Sequence, residues 1–222
     1  AMVKAAKHRE VDIATGTEVV EIEIVNDRAV AAVTTRTRYP GAAIVNCAGA
    51  WAVQIGPVKI PTHPVKGQML ALAPVVTTAN VTAPRHLVRH VIRGAVYIIP
   101  RGDGRIVVGA TVENVGFDKR VNPGTIQNLH QQAANLVPGI GEARILEDWA
   151  GLRPGTPDGL PILGRTEYDG YFVATGHYRD GILLAPVTAL LLGQMIRAQE
   201  PSLALAQFSL ERFRISQMRQ AK

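Results

Sequence analysis

The segment from Trp149 to Ala185 constrains the fold more than any other part of the chain. It reads WAGLRPGTPDGLPILG, then a short connector, the run YFVATG and finally HYRDGILLA. Tyr171 to Ala174 is rich in β-forming residues and ends at Thr175-Gly176, and Ile182 to Ile196 is apolar nearly all round. This order predicts a strand, a glycine turn and a buried helix. A helix start presents backbone N–H groups and a positive dipole end, so an anionic or electron-accepting ligand suits this turn.

Two arginines, Arg153 and Arg179, stand in this segment among glycine, proline and apolar residues. Such a guanidinium is typical of a site that binds a carboxylate or phosphate through two parallel hydrogen bonds. The alternative is that each arginine meets a carboxylate or carbonyl of the protein itself. Thr156-Pro157-Asp158-Gly159 is a strong turn signal, and we expect both arginines to lie in a segment of turns. Asp180 is a plausible N-cap for the following helix.

The 222 residues, 47% hydrophobic and 19% charged, are enough for one large or two small globular domains. We find neither a signal peptide nor a run apolar enough for a membrane span, and we expect a cytoplasmic protein with no membrane partner. The single cysteine, Cys47, excludes an intrachain disulfide framework, and we expect it to pack in the core.

The net charge of +6 raises the question of a nucleic-acid partner. The basic residues are spread along the chain, with one local cluster from Arg85 to Arg93 and no interleaved aromatic residues. We therefore expect no nucleic-acid partner. His86 and His90 are four residues apart, but no third ligand lies at a recognisable spacing, so we expect no metal site.

Further elements are expected along the chain. Residues 2–9 look like the last turns of a helix, and 57–64 reads as a crossing between domains. The remaining segments are strands at 19–25, 29–35, 43–47 and 65–73, a hairpin of 96–100 with 105–111, and a helix from Asn122 to about Val137. In the hairpin Tyr97 shares a face with Ile99; it either packs in the core or directs its hydroxyl into a pocket.

Six motifs together resemble the FAD-dependent amino-acid oxidase family of D-amino-acid oxidase type, and within it the glycine oxidases of thiamine biosynthesis. They are IVNCAGAWA (44–52), PVKGQ (64–68), YIIPR (97–101), VVGAT (107–111), WAGLRPGTPDGLPILG (149–164) and GHYRDGILLAP (176–186). They occur in the family's order through almost the whole chain. The arginine of GHYRDG favours glycine oxidases over the related D-amino-acid dehydrogenases.

The resemblance implies an α/β (α+β) fold, with an incomplete Rossmann-like FAD-binding domain and an inserted substrate domain built on a mixed or antiparallel sheet. Residues 1–56 and 149–222 are expected to belong to the FAD-binding domain, and 57–148 to the substrate-binding domain. The family's N-terminal GxGxxG turn, which takes the pyrophosphate, is missing from the chain. Without this turn, the chain lacks the family's main contact with the ADP half of FAD.

The resemblance also implies roles for single residues. Arg153 takes the position that pairs with the substrate carboxylate, Tyr97 that of a hydroxyl bonding the same carboxylate, and Arg179 that of a second cation at the entrance. Val19 matches the strand position whose backbone meets adenine. The remaining expected cofactor contacts are Ala48, Gly49, Trp51, Gly176, His177, Tyr178, Arg179, Asp180, Gly181, Ile182 and Leu183.

The implied reaction is oxidative deamination of glycine or a similar small amino acid or amine to an imine, with FAD as cofactor and dioxygen as acceptor. Cys47 lies on a different strand from the arginine motifs, where a cysteine would be needed for a covalent flavin link. We therefore expect FAD to bind non-covalently. The alternatives are a D-amino-acid or sarcosine oxidoreductase of the same fold, and a flavin-free fragment without activity. A homo-oligomer is compatible with the resemblance.

Overall fold

The computed structural model describes residues 2–73 and 87–213. Within these ranges three α-helices and eleven strands form. The helices are α1 (Met2–His8), α2 (Pro123–Leu136) and α3 (Gly181–Ile196). The strands are β1 (Val19–Val25), β2 (Arg28–Thr34), β3 (Arg38–Pro40), β4 (Ile44–Asn46), β5 (His63–Leu72), β6 (Ile92–Arg93), β7 (Tyr97–Pro100), β8 (Ile106–Gly109), β9 (Ile145–Gly155), β10 (Ile162–Arg165) and β11 (Tyr171–Thr175). No helix in these ranges is both long and apolar enough to cross a bilayer.

The chain divides into two compact units. The first unit comprises the residues up to Thr62 and from Thr156 onward, and the second is the continuous stretch His63–Gly155. The second unit therefore starts and ends later than the substrate domain expected at 57–148. The reason is that β9 continues through Arg153 to Gly155, paired with β5 along its whole length.

The first unit contains two three-stranded sheets, in the orders β1-β2-β3 and β10-β11-β4. Strands β1 and β2 are antiparallel, and the turn between them places Asn26 and Asp27 at φ of 48° and 59°, a conformation that Asn and Asp tolerate. In the other sheet β11 runs parallel to β4. Tyr171, Val173 and Ile162 lie in the buried core of this unit.

The second unit is an antiparallel five-stranded sheet, in the order β6-β7-β8-β5-β9, with α2 packed on one face. Asn122 caps α2 by accepting a hydrogen bond from Thr125 N at 3.2 Å, and Pro123 occupies the first turn. The core face of the sheet carries alternate apolar side chains, which include Leu70, Ile98 and Val108. The hairpin, α2 and the antiparallel sheet are confirmed as expected.

Two expectations about packing are wrong. Cys47 is exposed, because β4 ends at Asn46 and the chain turns there. Helix α3 is not buried all round, since Ile182 and Leu190 are 94% and 52% exposed. Its buried side is confined to Thr188, Leu191, Leu192 and Met195.

Candidate active site

Tyr97 and Arg153 project from the same face of the sheet in the second unit. Tyr97 pairs with Gly109, Gly109 with Met69, and Met69 with Trp149. Side chains of paired residues share a face, and alternate residues along β9 do so as well, so Arg153 lies on the face of Trp149. This is the face opposite to the one that packs against α2.

Arg153 is half-buried and is held by backbone carbonyls. Its Nη1 donates to Thr111 O at 3.1 Å and to Lys66 O at 3.4 Å. Within the described ranges no carboxylate pairs with it and no acceptor bonds its Nε or Nη2. Of the two alternatives for this arginine, the structure shows protein carbonyls as partners of Nη1, and the binding of a ligand carboxylate stays a prediction. The expectation of a turn here is wrong, because Arg153 lies in a strand.

Tyr97 is half-buried, and its hydroxyl makes one weak contact. The hydroxyl donates to the thioether sulfur of Met69 at 3.5 Å, and sulfur is a poor acceptor. No oxygen or nitrogen atom of the described residues bonds this hydroxyl. Of the two readings of Tyr97, a satisfied core residue or a hydroxyl available to a ligand, this geometry fits the second.

A polar network that the sequence did not reveal anchors the carbonyls that hold Arg153. The Glu113 carboxylate accepts hydrogen bonds from Thr111 Oγ1 and from Gln68 Nε2, the latter at 2.9 Å, and lies 3.8 Å from Lys66 Nζ. Desolvation opposes ionisation of Glu113, but the hydrogen bonds from Thr111 and Gln68 and the Lys66 charge outweigh it and lower the pKa of this carboxyl. The network thereby fixes Lys66 and Thr111, whose carbonyl oxygens accept from Arg153.

In the first unit, the carboxyl ends of two parallel strands bring the two expected flavin segments together. Strands β4 and β11 lie side by side, and they lead to Ala48–Trp51 and to Gly176–Leu183. The hydroxyl of Thr175 donates to Gly49 O at 2.9 Å and joins the two ends. Ligands of open α/β sheets bind in the crevice at such strand ends.

The turn after β4 is organised by the buried side chain of Asn46. Its Oδ1 accepts from Ala48 N at 3.1 Å, and its Nδ2 donates to Tyr171 Oη at 3.1 Å. Gly49 follows at φ 58°, and an added Cβ there would meet no atom within 4 Å. The backbone of Gly49 is thus open to a ligand, and Trp51 continues the short 3-10 helix that Gly49 begins. The role of Asn46 is not visible in the sequence, because it depends on the distant Tyr171.

The start of α3 offers three unused backbone donors. The first hydrogen bond that closes the helix runs from Leu184 N to Asp180 O at 2.8 Å, so the N–H groups of Gly181, Ile182 and Leu183 have no acceptor within the helix. Asp180 occupies the N-cap position, but its side chain does not cap the helix. Such free N–H groups, with the helix dipole, suit an electron-rich ring edge or an anion.

The turn that leads into α3 contains three further expected residues. His177 Nε2 lies 3.0 Å from Thr188 Oγ1, and burial lowers the pKa of His177. Tyr178 adopts φ 50° and stacks under the guanidinium of Arg179, which is 5.4 Å from the ring centre. Arg179 itself is exposed.

Val19 is placed apart from these residues, on the other sheet of the first unit. It begins β1, which forms the edge of its sheet, and a register shift follows between Val19 and Glu21. One side of an edge strand keeps unpaired backbone groups. Val19 can therefore offer its backbone to a ligand, as the adenine contact would need.

Metal binding finds no support among the described residues, where no group of three or more His, Cys, Asp or Glu is arranged to hold a metal ion. His86 lies outside the described ranges.

Comparison with known proteins gives a consistent picture. The sequence profile of the family described as DAO, FAD-dependent oxidoreductase, matches residues 1–195. The chain is 40% identical over 185 residues to a glycine oxidase of Geobacillus kaustophilus, an alignment that covers 81% of this chain and 47% of the relative. It is 38% identical to a bifunctional protein ThiO/ThiG of Synechocystis sp., over 96% of this chain and 32% of the relative.

The fold agrees with these matches. The crystal structure of glycine oxidase from Geobacillus kaustophilus superposes with a TM-score of 0.82 at 36% identity, and the match covers 93% of this chain and 55% of that one. This chain thus spans about half, or less, of the length of the curated relatives just named. On the family match and the shared fold, the chain belongs to the DAO family of FAD-dependent oxidoreductases.

Proposed function

We propose that this chain supplies the substrate-binding sheet and part of the FAD site of an enzyme that oxidises glycine, or a similar small amino acid or amine, to an imine. The observation that carries the proposal is the guanidinium of Arg153. It lies on one sheet face with the Tyr97 hydroxyl, two carbonyls orient it, and no carboxylate of the described residues neutralises it. A substrate carboxylate can pair with this guanidinium through charge-assisted hydrogen bonds.

The first unit offers FAD two kinds of contact: free backbone N–H groups at the start of α3, and backbone that a ligand can approach at Gly49 and Val19. The N–H groups of Gly181, Ile182 and Leu183 would lie along the pyrimidine edge of the ring, where negative charge develops on reduction. Gly49 allows close approach of the ring or its phosphates, and Val19 can meet adenine through its backbone. The single cysteine, Cys47, lies on neither of the segments around the arginines, so FAD would be held without a covalent bond.

The chemistry that FAD supplies when bound is acceptance of a hydride from the substrate's α-carbon, followed by transfer of two electrons to dioxygen to give hydrogen peroxide. The protein's own part is to bind and orient the substrate. Arg153 and Tyr97 would hold the carboxylate, and the exposed Arg179 would attract it at the entrance. The substrate's amine has to be deprotonated before the α-carbon gives up the hydride, and the imine is then hydrolysed by water to an oxo acid and ammonia.

We further propose that the enzyme acts in the cytoplasm, in the formation of the thiazole of thiamine. It is supported by likeness to the glycine oxidase and the ThiO/ThiG protein named above. A homo-oligomer is compatible with it. Two alternative functions are considered. One is a D-amino-acid or sarcosine oxidoreductase of the same fold, and the other is a flavin-free module without activity.

The test uses the full-length protein that contains this chain. An absorbance spectrum between about 350 and 500 nm detects bound flavin, whose redox chemistry the reaction needs. Peroxide release is then measured with glycine, sarcosine and D-alanine at matched concentrations. We expect flavin bands and the highest kcat/KM with glycine. A preference for D-alanine or sarcosine would favour the rival oxidoreductases, and the absence of flavin bands and of turnover would overturn the proposal.

A further inference from the structure

We propose that Gly67 is a positioning residue for Arg153: the missing side chain of Gly67 lets the guanidinium lie on the sheet and so sets the direction in which it meets a carboxylate. The inference rests on the proposed function, because it takes Arg153 as the group that binds the substrate carboxylate. It adds to that function a residue that touches neither substrate nor cofactor.

The contact between the two residues is close. A Cβ added to Gly67 would lie 2.6 Å from Cζ of Arg153 and closer still to both terminal nitrogens. Real Cβ atoms do not come this near to a neighbour. The three nearest atoms all belong to this one guanidinium, and none is backbone. Any side chain at position 67 therefore has to displace the guanidinium.

The direction of the Arg153 side chain follows from the strand order. Arg153 on β9 pairs with Val65 on β5, whereas Gly67 is two residues further along β5. The guanidinium crosses β5 over Gly67 and reaches the carbonyl of Thr111, two residues beyond the end of β8. It thus extends toward the side of the sheet where β7 carries Tyr97.

A second glycine on this face plays the same part under Tyr97. A Cβ added to Gly109, the cross-strand partner of Tyr97, would lie 2.7 Å from the phenol oxygen. Gly67 thus leaves the backbone uncovered under the guanidinium, and Gly109 leaves it uncovered under the phenol. Gly151, which pairs with Gly67 on the same face, differs from both, because an added Cβ there would meet no atom within 4 Å.

This contrast supplies a matched pair of substitutions. The atoms that obstruct an alanine at position 67 are the far end of a flexible side chain, so Gly67→Ala is expected to fold and to move the guanidinium off its carbonyl partners. Gly151→Ala adds the same methyl group to the same face of the same ladder but touches nothing. A difference between the two variants therefore reports on Arg153 and not on the sheet.

The experiment is a double-mutant cycle on the full-length flavin-loaded protein, with wild type, Gly67→Ala, Arg153→Ala, the double variant and Gly151→Ala. KM and kcat for glycine and the inhibition constant of acetate, a carboxylate without an amine, are measured for each. We expect Gly67→Ala to raise KM and the acetate constant about tenfold or more, as the loss of a charge-assisted hydrogen bond does, and kcat to change much less. Gly151→Ala is expected to stay within about twofold of wild type, and Gly67→Ala to add nothing once Arg153 is alanine.

The other possible results separate the inference about Gly67 from the proposed function. Wild-type KM in Gly67→Ala beside a raised KM in Arg153→Ala would overturn the inference and leave the proposed function standing. If the effects of Gly67→Ala and Arg153→Ala on KM simply add in the double variant, the inference would also be overturned. Wild-type KM in Arg153→Ala would contradict the proposed function and the inference together. Any loss of Tm in Gly67→Ala has to be recovered in the double variant, where the obstructing guanidinium is gone; a loss that persists would contradict the inference.

Discussion

The hydroxyl of Thr175 donates a hydrogen bond of 2.9 Å to the carbonyl oxygen of Gly49. Thr175 is the last residue of β11 and is almost fully buried, and Gly49 follows the parallel strand β4. This bond joins the two segments to which we assign flavin contacts. It extends the link between them beyond the last paired residues of β4 and β11.

Thr175→Val is expected to lower the free energy of unfolding by about 1 kcal/mol, because it removes the hydrogen bond and keeps the side-chain shape. It is also expected to weaken FAD binding, since the two segments lose their link. Urea unfolding and FAD titration by flavin fluorescence measure the two effects. Thr175→Ser keeps the hydroxyl and is expected to retain FAD affinity; equal FAD affinity in Thr175→Val and wild type would contradict the role of this bond.

Tyr97→Phe tests the phenol alone. The ring that packs over Gly109 is kept and only the hydroxyl is lost, whose one contact among the described residues is the Met69 sulfur. Stability is expected to change by less than about 0.5 kcal/mol, as for substitutions that remove no strong interaction. KM for glycine is expected to rise about tenfold, because a hydrogen bond to a charged group contributes about 1.5–3 kcal/mol. An unchanged KM in Tyr97→Phe would contradict the assignment of the Tyr97 hydroxyl to the substrate carboxylate.

The local signals in the sequence predicted the local structure well. The strands on either side of Asn26-Asp27, the hairpin around Gly102 and the helix that starts after Asn122 each depend on neighbouring residues, and each forms as expected. Strand β9 was missed because WAGLRPG contains two glycines and a proline, which favour turns. Its partner β5 is distant in the sequence, and only that pairing makes the segment a strand.

The sequence predicts which residue in the candidate site binds a carboxylate, but not which residues position it. A guanidinium among uncharged neighbours marks Arg153 from sequence alone. The roles of Gly67 and Asn46 cannot be read in this way, because both depend on contacts across strands. The apolar run of α3 predicted the helix but not its exposed side, since apolar residues in a run carry no information about which of them find a partner.

Arg179→Ala is expected to have a smaller effect than any change at Arg153. Arg179 is exposed, and its described contact is the ring of Tyr178. Exposed charges act mainly on encounter and are screened by salt. We expect kcat/KM for glycine to fall about threefold at low salt and the difference to shrink toward 0.5 M salt, in line with a shorter screening length. A loss that does not depend on salt would indicate direct contact with the substrate.

Glu113→Gln is expected to change how stability depends on pH. The pKa of Glu113 is lower in the folded protein than in the unfolded chain, so its ionised form contributes stability above about pH 4.3, the ordinary value, and this contribution is lost as pH falls through the folded value. The wild type should therefore exceed Glu113→Gln in stability at pH 7, and the gap should narrow below about pH 4 as the wild-type carboxyl is protonated.

The measurement for Glu113 is urea unfolding from pH 7 to 3. Glu142→Gln, which makes the same change at an exposed carboxylate of the same unit, serves as the control for the loss of one charge. A constant gap between wild type and Glu113→Gln over this range would show that ionisation of Glu113 contributes nothing to the network.

KM for glycine in Arg153→Ala tests the central claim most directly. Removal of one partner from a charge-assisted pair costs roughly 2–5 kcal/mol, so KM is expected to rise at least about 30-fold. Arg101→Ala, which removes an exposed arginine in the hairpin turn of the same unit, is expected to leave KM unchanged. Near wild-type KM in Arg153→Ala, with the fold and bound flavin retained, would contradict the assignment of this guanidinium to the substrate carboxylate.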